Sequence, residues 1–230
     1  MPPLPPVTKA FMLVCTALFC VQMLLGPWFE RLFALWPLAS GAFMPWQVLS
    51  YALLHGGIAH LFFNMLGIWL FGGELERLWG QKRFIHFLIA GALSAAAVQI
   101  VWTMLIGSLV PTVGASGALF ALLLAYGLVF PNRQFDLLGF LPMLLMLIPS
   151  TIFNIAGMVL FFVMLTNRNA LPIAPIPIPA KVMVLAFGAI ELFLGVLGSS
   201  GIAHFAHLGG MLGGFLMLRY WRGQTPFRRR

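Results

Sequence analysis

Three groups of polar residues stand in an otherwise apolar chain, and their types could together carry out acyl transfer. The first is Gly114-Ala115-Ser116-Gly117. A serine nucleophile needs an exposed hydroxyl with room beside it for a carbonyl carbon. Flanking glycines supply that room and permit unusual backbone angles. A helix beginning here would also present free amide donors to a developing oxyanion. The second group is His207 with Gly210 and Gly214, which fall at i, i+3 and i+7 and so share one helical face. Gly209 and Gly213 form a second close-approach pair. Small residues let membrane helices touch backbone to backbone, which would press the imidazole against a neighbouring helix. If that neighbour carries Ser116, the imidazole can take the serine proton and later return it to a leaving amine. His204 is a rival base one turn earlier, without the matching glycine register. The third group is His60 and Asn64, at i and i+4 on one face, both able to donate side-chain hydrogen bonds. Each group also has a plain reading: a small-residue packing face or an N-cap for the first, and a polar pair joining helices for the third.

The elements that must hold these groups are membrane helices. The 230 residues are 61% hydrophobic and 8% charged, with a mean hydropathy of +1.00. A soluble domain carries about 25% charged residues, and a helix crossing a bilayer takes roughly 20 apolar ones. The predicted architecture is an all-α membrane protein of six spans, at about 10–26, 58–73, 84–106, 115–130, 182–198 and 203–221, forming a single domain over 1–230. The N-terminal run follows Lys9 and leads into Pro27, Trp28 and Phe29, with no small-residue cleavage site, so it reads as a retained span. Cys15 and Cys20 both lie in this first span and read as apolar fillers.

With the N-terminus placed in the cytoplasm, six spans put twelve of the thirteen Lys and Arg residues inside, Arg31 being the exception. Both termini are therefore expected to be cytoplasmic, with Arg228, Arg229 and Arg230 as a topology determinant near anionic lipid. Topology thus explains the net charge of +8 without a nucleic-acid partner. The apolar stretch from Leu137 to Thr166 is too short for two crossings, which need ~40 residues plus a turn. Pro142 and Pro149-Ser150 interrupt it. It is expected to be a cytoplasmic-side interfacial or re-entrant hairpin that does not cross. The Pro-rich segment from Leu171 to Pro179 cannot be helix interior. Glu191, mid-span, reads as an acid of the mechanism or as a group hydrogen-bonded to a neighbouring helix; His86 reads as interfacial. A small transporter would show repeated halves, and none is evident.

On His60-x3-Asn64, Gly114-x-Ser116-Gly117 and Ala206-His207-x2-Gly210-x3-Gly214, in this order, the chain resembles the rhomboid family of intramembrane serine proteases. Pro131-Asn132-Arg133 and Pro177-Ile178-Pro179-Ala180-Lys181 are similar too. The resemblance implies a six-helix core and a Ser116–His207 dyad without an acidic third member. It implies an oxyanion hole formed by the Ser116 amide with His60 and Asn64. His55 would line the cavity, and Phe120 would pack on the histidine. It also implies no metal or nucleotide cofactor. Transmembrane protein substrates, cut near the outer face, and membrane lipids are the expected partners; the residues name no oligomeric state. The expected location is a bacterial inner membrane. A rhomboid-like pseudoprotease that binds clients without cutting them is the alternative. The chain departs from the family at Trp46-Gln47, where the family usually carries Trp-Arg, and at about 138–170. That second stretch looks like an insertion: a lipid-facing elaboration, a partner site, or a strain on the fold.

Overall fold

The computed structural model describes residues 3–145, 150–167, 174–197 and 203–223. The expectations placed on Pro149, on 146–149 and 168–170 of the apolar stretch, and on Arg228 to Arg230 lie outside the described residues. The chain forms two compact units, Met1–Tyr126 with Ala203–Arg230, and Gly127–Ile202.

The first unit is built from α1 (Pro6–Leu25), α2 (Pro27–Phe33), α3 (Gln47–Ser50), a long helix in two α segments α4 (Ile58–Gly67) and α5 (Gly73–Trp79), α6 (Gln81–Ile106), most of α7 (Ser116–Val129), and α11 (His204–Trp221). Between α4 and α5 the backbone passes through one π-helical turn, Ile68–Gly72, without breaking the helix. Among the described residues, four helices are long and apolar enough to cross a bilayer: Pro6–Leu25, Ile58–Trp79, Gln81–Ile106 and Ala180–Leu197. The second of these outruns the predicted end at residue 73 because its two acids have internal partners. Glu76 accepts hydrogen bonds from Val7 N (2.9 Å), Thr8 N (2.7 Å) and Thr8 Oγ1 (2.7 Å). A carboxylate at the start of α1 satisfies orphan amides and complements the helix dipole. Glu74 accepts from Tyr126 Oη at 2.5 Å.

Small residues set the packing of α11. A Cβ on Gly209 or Gly213 would meet the Ser94 carbonyl oxygen and the Ser94 Cβ of α6 at 2.9 and 2.5 Å, respectively. On the adjacent face, a Cβ on Gly214 would meet the Ala121 carbonyl oxygen at 3.0 Å, and one on Gly210 would run into the Gly117 carbonyl of α7. The two glycine pairs thus seat α11 between α6 and α7. At the far end of α11, Trp221 meets Trp79 at 5.1 Å and Phe87 at 5.8 Å, with Arg83 5.7 Å from its ring.

The segment between α2 and α4 is organised by the fully buried side chain of Gln47, the residue at which the chain departs from the family it resembles. Its Oε1 accepts from Trp36 N (3.3 Å) and Met44 N (3.1 Å), and its Nε2 donates to the carbonyls of Arg31, Leu32 and Ala42. An amide carries both donors and acceptors, so it can tie two kinds of loop backbone group where a guanidinium could tie only carbonyls. Gln47→Ala is expected to lower stability by about 2–3 kcal/mol through the stranded groups. Thermal unfolding measures this, and Gln47→Glu, which sets a buried carboxylate oxygen against the three carbonyls, should cost at least as much.

The second unit begins with the end of α7. Strand β1 (Gln134–Asp136) pairs antiparallel with β2 (Pro177–Pro179), in the register Gln134↔Pro179, Phe135↔Ile178 and Asp136↔Pro177. Proline has no amide to donate, and a two-stranded ribbon is all edge. Asp136 Oδ1 fastens the base, accepting from Leu138 N and Ile176 N, both at 3.1 Å. From this clasp rise α8 (Leu141–Leu145) and α9 (Thr151–Thr166), followed by α10 (Ala180–Leu197). Gly157 of α9 lies under the Pro142 carbonyl, where a Cβ would approach to 2.6 Å. Gly157 is the buried residue of α9, while Ile152, Ile155, Val159 and Leu165 are exposed. Glu191 of α10 is fully buried.

Candidate active site

Ser116 is the first residue of α7, so its amide belongs to the turn whose N–H groups lack intrahelical partners. The segment leading to it is fixed by backbone bonds. Leu35 and Thr112 exchange N–H···O bonds of 2.9 Å each way, and Gly114 N donates to the Tyr51 carbonyl at 2.9 Å. Gly114 has φ +130°, a conformation that glycine alone adopts without strain. A Cβ there would also strike the His60 ring, at 2.7 Å from Cε1 and 2.8 Å from Nε2, with Ser116 Oγ at 3.5 Å. The space a side chain would fill at Gly114 is therefore bordered by His60 and by the serine hydroxyl.

His207 arrives from the start of α11. Its Nε2 is 2.8 Å from Ser116 Oγ. In the tautomer that carries the proton on Nδ1, the hydroxyl donates and Nε2 accepts. Phe120, one turn beyond Ser116, stacks on the imidazole with centroids 4.2 Å apart and planes 6° from parallel. The ring plane is thus held while its edge faces the hydroxyl. Gly117 lets α7 lie close on α6 and Tyr51: a Cβ on it would meet Ala95 Cβ at 2.5 Å and Tyr51 Oη at 3.4 Å. Gly210 lies on the Gly117 backbone and Gly214 on that of Ala121, so both space α11 from α7 at the depth of the serine. His204, the rival base, is buried and meets His207 edge-on at 6.3 Å.

His60 receives a hydrogen bond at Nδ1 from Gly56 N (3.3 Å). That bond uses the Nδ1 lone pair and places the ring proton on Nε2, the nitrogen that faces the Gly114 gap. His60 can therefore donate toward the serine. Asn64 sits one turn deeper, and its Nδ2 donates to the His60 carbonyl at 2.8 Å. It meets the serine neighbourhood through His60, with one amide hydrogen left over. His55 is fully enclosed, its ring edge-on to His60 at 5.3 Å. Burial, with His60 adding to it, pulls its pKa from 6.5 down to about 3. His55 is thus enclosed beside His60.

A histidine held neutral gives its full stabilisation above about 6.5. That contribution shrinks as pH falls toward about 3, because the unfolded chain accepts a proton that the folded chain refuses. The thermal midpoint should therefore fall on acidification through this window. The dependence should be shallower in His55→Phe.

Two supports of the site are not among the residues singled out from the sequence. Gln22 of α1 makes a paired bond with the His55 backbone, donating to its carbonyl (3.0 Å) and accepting from its amide (3.2 Å). Tyr51, fully buried, donates its hydroxyl to the Ala92 carbonyl (2.8 Å) while its own carbonyl holds Gly114. Burial pushes that hydroxyl well above the usual phenol range, so it stays a donor. A lone Gln in an apolar helix and a lone Tyr in a Trp- and Phe-rich loop were the available hints.

The chain matches the family model of the Rhomboid domain over residues 42–160 and 151–223. It is similar to the rhomboid protease GlpG of Klebsiella pneumoniae, with 34% identity over 95 residues, or 41% of this chain and 34% of that protein. It is also similar to the rhomboid protease GluP of Bacillus subtilis, with 38% identity over 78 residues, or 34% of this chain and 14% of that protein. The matched segments thus span about a third or less of these relatives. With a family model matched across most of its length and apolar helices fit to cross a bilayer, the chain belongs to the rhomboid family of membrane proteins.

Proposed function

We propose that this protein is an intramembrane serine endopeptidase that hydrolyses peptide bonds of transmembrane substrates near the outer membrane face. The observation that carries the reading is the 2.8 Å approach of His207 Nε2 to Ser116 Oγ, with the ring stacked on Phe120. Ser116 Oγ attacks the carbonyl carbon as its proton passes to His207 Nε2. The negative charge gathers on the carbonyl oxygen, toward the Ser116 amide, His60 Nε2–H and the free hydrogen of Asn64 Nδ2. His207 then returns the proton to the departing amine, and water releases the acyl group by the same steps. No metal or nucleotide is needed.

Six spans with both termini cytoplasmic in a bacterial inner membrane, over one rhomboid-like domain from 1 to 230, complete the proposal. The apolar stretch from Leu137 to Thr166 is a cytoplasmic-side interfacial or re-entrant hairpin that enters the bilayer without crossing it. Single cysteines at Asn154 and Asn167 should then label from the same side; opposite-side labelling would exclude the hairpin.

Cleavage is tested by reconstituting the purified protein with a labelled transmembrane substrate, alongside a fluorophosphonate probe. The probe should label Ser116 in the wild type and fail to label Ser116→Ala. Unchanged cleavage by Ser116→Ala would end the reading. A folded wild type that neither cleaves nor takes the probe would favour the client-binding alternative. His60→Ala should lower kcat by about 10²-fold, with KM moving little, as expected for a donor used in the transition state.

A further inference from the structure

His204 and His207 stand at i and i+3 of α11 and leave the helix on one side. Both are buried, at 3% and 7% exposure. Their rings are perpendicular, 6.3 Å between centroids, and a nitrogen of one lies within 4.8 Å of a nitrogen of the other. Two imidazoles that share an ion at about 2.0–2.1 Å each need their nitrogens somewhat closer than that. The stack on Phe120 fixes His207, so sharing an ion requires His204 to draw toward it.

We propose that His204 and His207 form an inhibitory site for a divalent transition metal of the zinc type. Imidazole pairs select such ions, whereas magnesium and calcium require oxygen ligands. The inhibition follows from the chemistry of the ring. A neutral imidazole has one lone pair, and a metal consumes it whichever nitrogen it takes. Metal on Nε2 blocks the serine directly. Metal on Nδ1 leaves the ring proton on Nε2, which then has nothing with which to accept the proton of Ser116. The base is lost in both cases although no atom of Ser116 is altered. The inhibitory half of this inference rests on His207 being the base; the binding half does not.

The test uses the full-length protein in detergent, stripped with a chelator and titrated with zinc chloride, with magnesium chloride as the control. Binding is read by calorimetry on the wild type and on Ser116→Ala, and cleavage on the wild type. The expected result is one zinc per chain in both proteins, inhibition of the wild type, and no effect of magnesium. His204→Asn and His204→Ala should each raise the half-inhibitory zinc concentration about tenfold or more and weaken calorimetric binding in step. His86→Ala, at an exposed position of α6, should change neither. Undiminished zinc binding in both His204 variants, or none in the wild type, overturns the site. Binding through His204 without inhibition overturns the inhibitory role and counts against His207 as the base. A wild type that binds zinc through His204 but cleaves nothing supports the site and counts against the protease reading alone.

Discussion

Replacing Ser116 by alanine is expected to lower kcat by about 10⁴- to 10⁶-fold, and adding His207→Ala to that variant should cost almost nothing more. The reason lies in the 2.8 Å contact. In the proposed reaction, His207 acts first on the Oγ proton, and without that oxygen its basicity has no use. Either single change therefore removes the same unit. Turnover remaining above the uncatalysed rate would come from the donors at His60, Asn64 and the Ser116 amide, and from substrate binding. KM should move by a small factor, since neither side chain need contact substrate residues away from the cut. The measurement is a double-mutant cycle in kcat on one reconstituted substrate. Losses that multiply would mean that the two side chains act independently, leaving their contact as packing.

The second large effect concerns a residue that carries no functional group. Gly210→Ala should destabilise the protein by about 3 kcal/mol or more and remove activity even where folded protein is recovered. The added methyl would run into the Gly117 carbonyl oxygen and come within 2.7 Å of its carbon and 3.0 Å of its Cα. These are backbone atoms at the start of α7 and cannot rotate away. Relief requires α11 to move off α7, which also draws His207 from Ser116. Gly214→Ala should be milder, because its nearest neighbours, the Ala121 carbonyl oxygen and the Phe87 ring, are at 3.0 Å. Gly139→Ala, with open space around its Cα, should leave unfolding within about 0.5 kcal/mol of wild type. A Gly210→Ala protein as stable and as active as Gly139→Ala would refute the close packing of α11 on α7.

The difference between what the residue pattern carries and what it hides is physical. A glycine register is a local statement about missing atoms, so the faces of Gly210/Gly214 and Gly209/Gly213 can be read before the neighbouring helices are known. The same holds for the proline-rich segment, where missing amides exclude helix. Pairing is different. That Pro177–Pro179 runs against Gln134–Asp136 depends on partners some forty residues apart. The predicted span ends at about residue 73, whereas the helix runs on to Trp79, and the partners that receive Glu74 and Glu76, Tyr126 and Thr8, are remote in the chain. Tyr51 holds Gly114 through a main-chain carbonyl, an interaction to which side-chain identity contributes nothing. Gln47 looked like a lost arginine, and its function emerged only with the five backbone groups around it.

The π turn at Ile68–Gly72 bears on how this helix can change length over generations. Such a turn houses one residue more than the α turn it replaces, so the flanking segments face as they would across an unbroken helix one residue shorter. Loss of a single codon within 68–72 would leave His60 aimed at Gly114 and Glu76 at Thr8. The same loss within 61–67 or 73–75 would swing one end about 100° against the other, parting one of those two contacts from its partner. Insertions and deletions among homologous chains should therefore collect at this turn and be rare on either side of it.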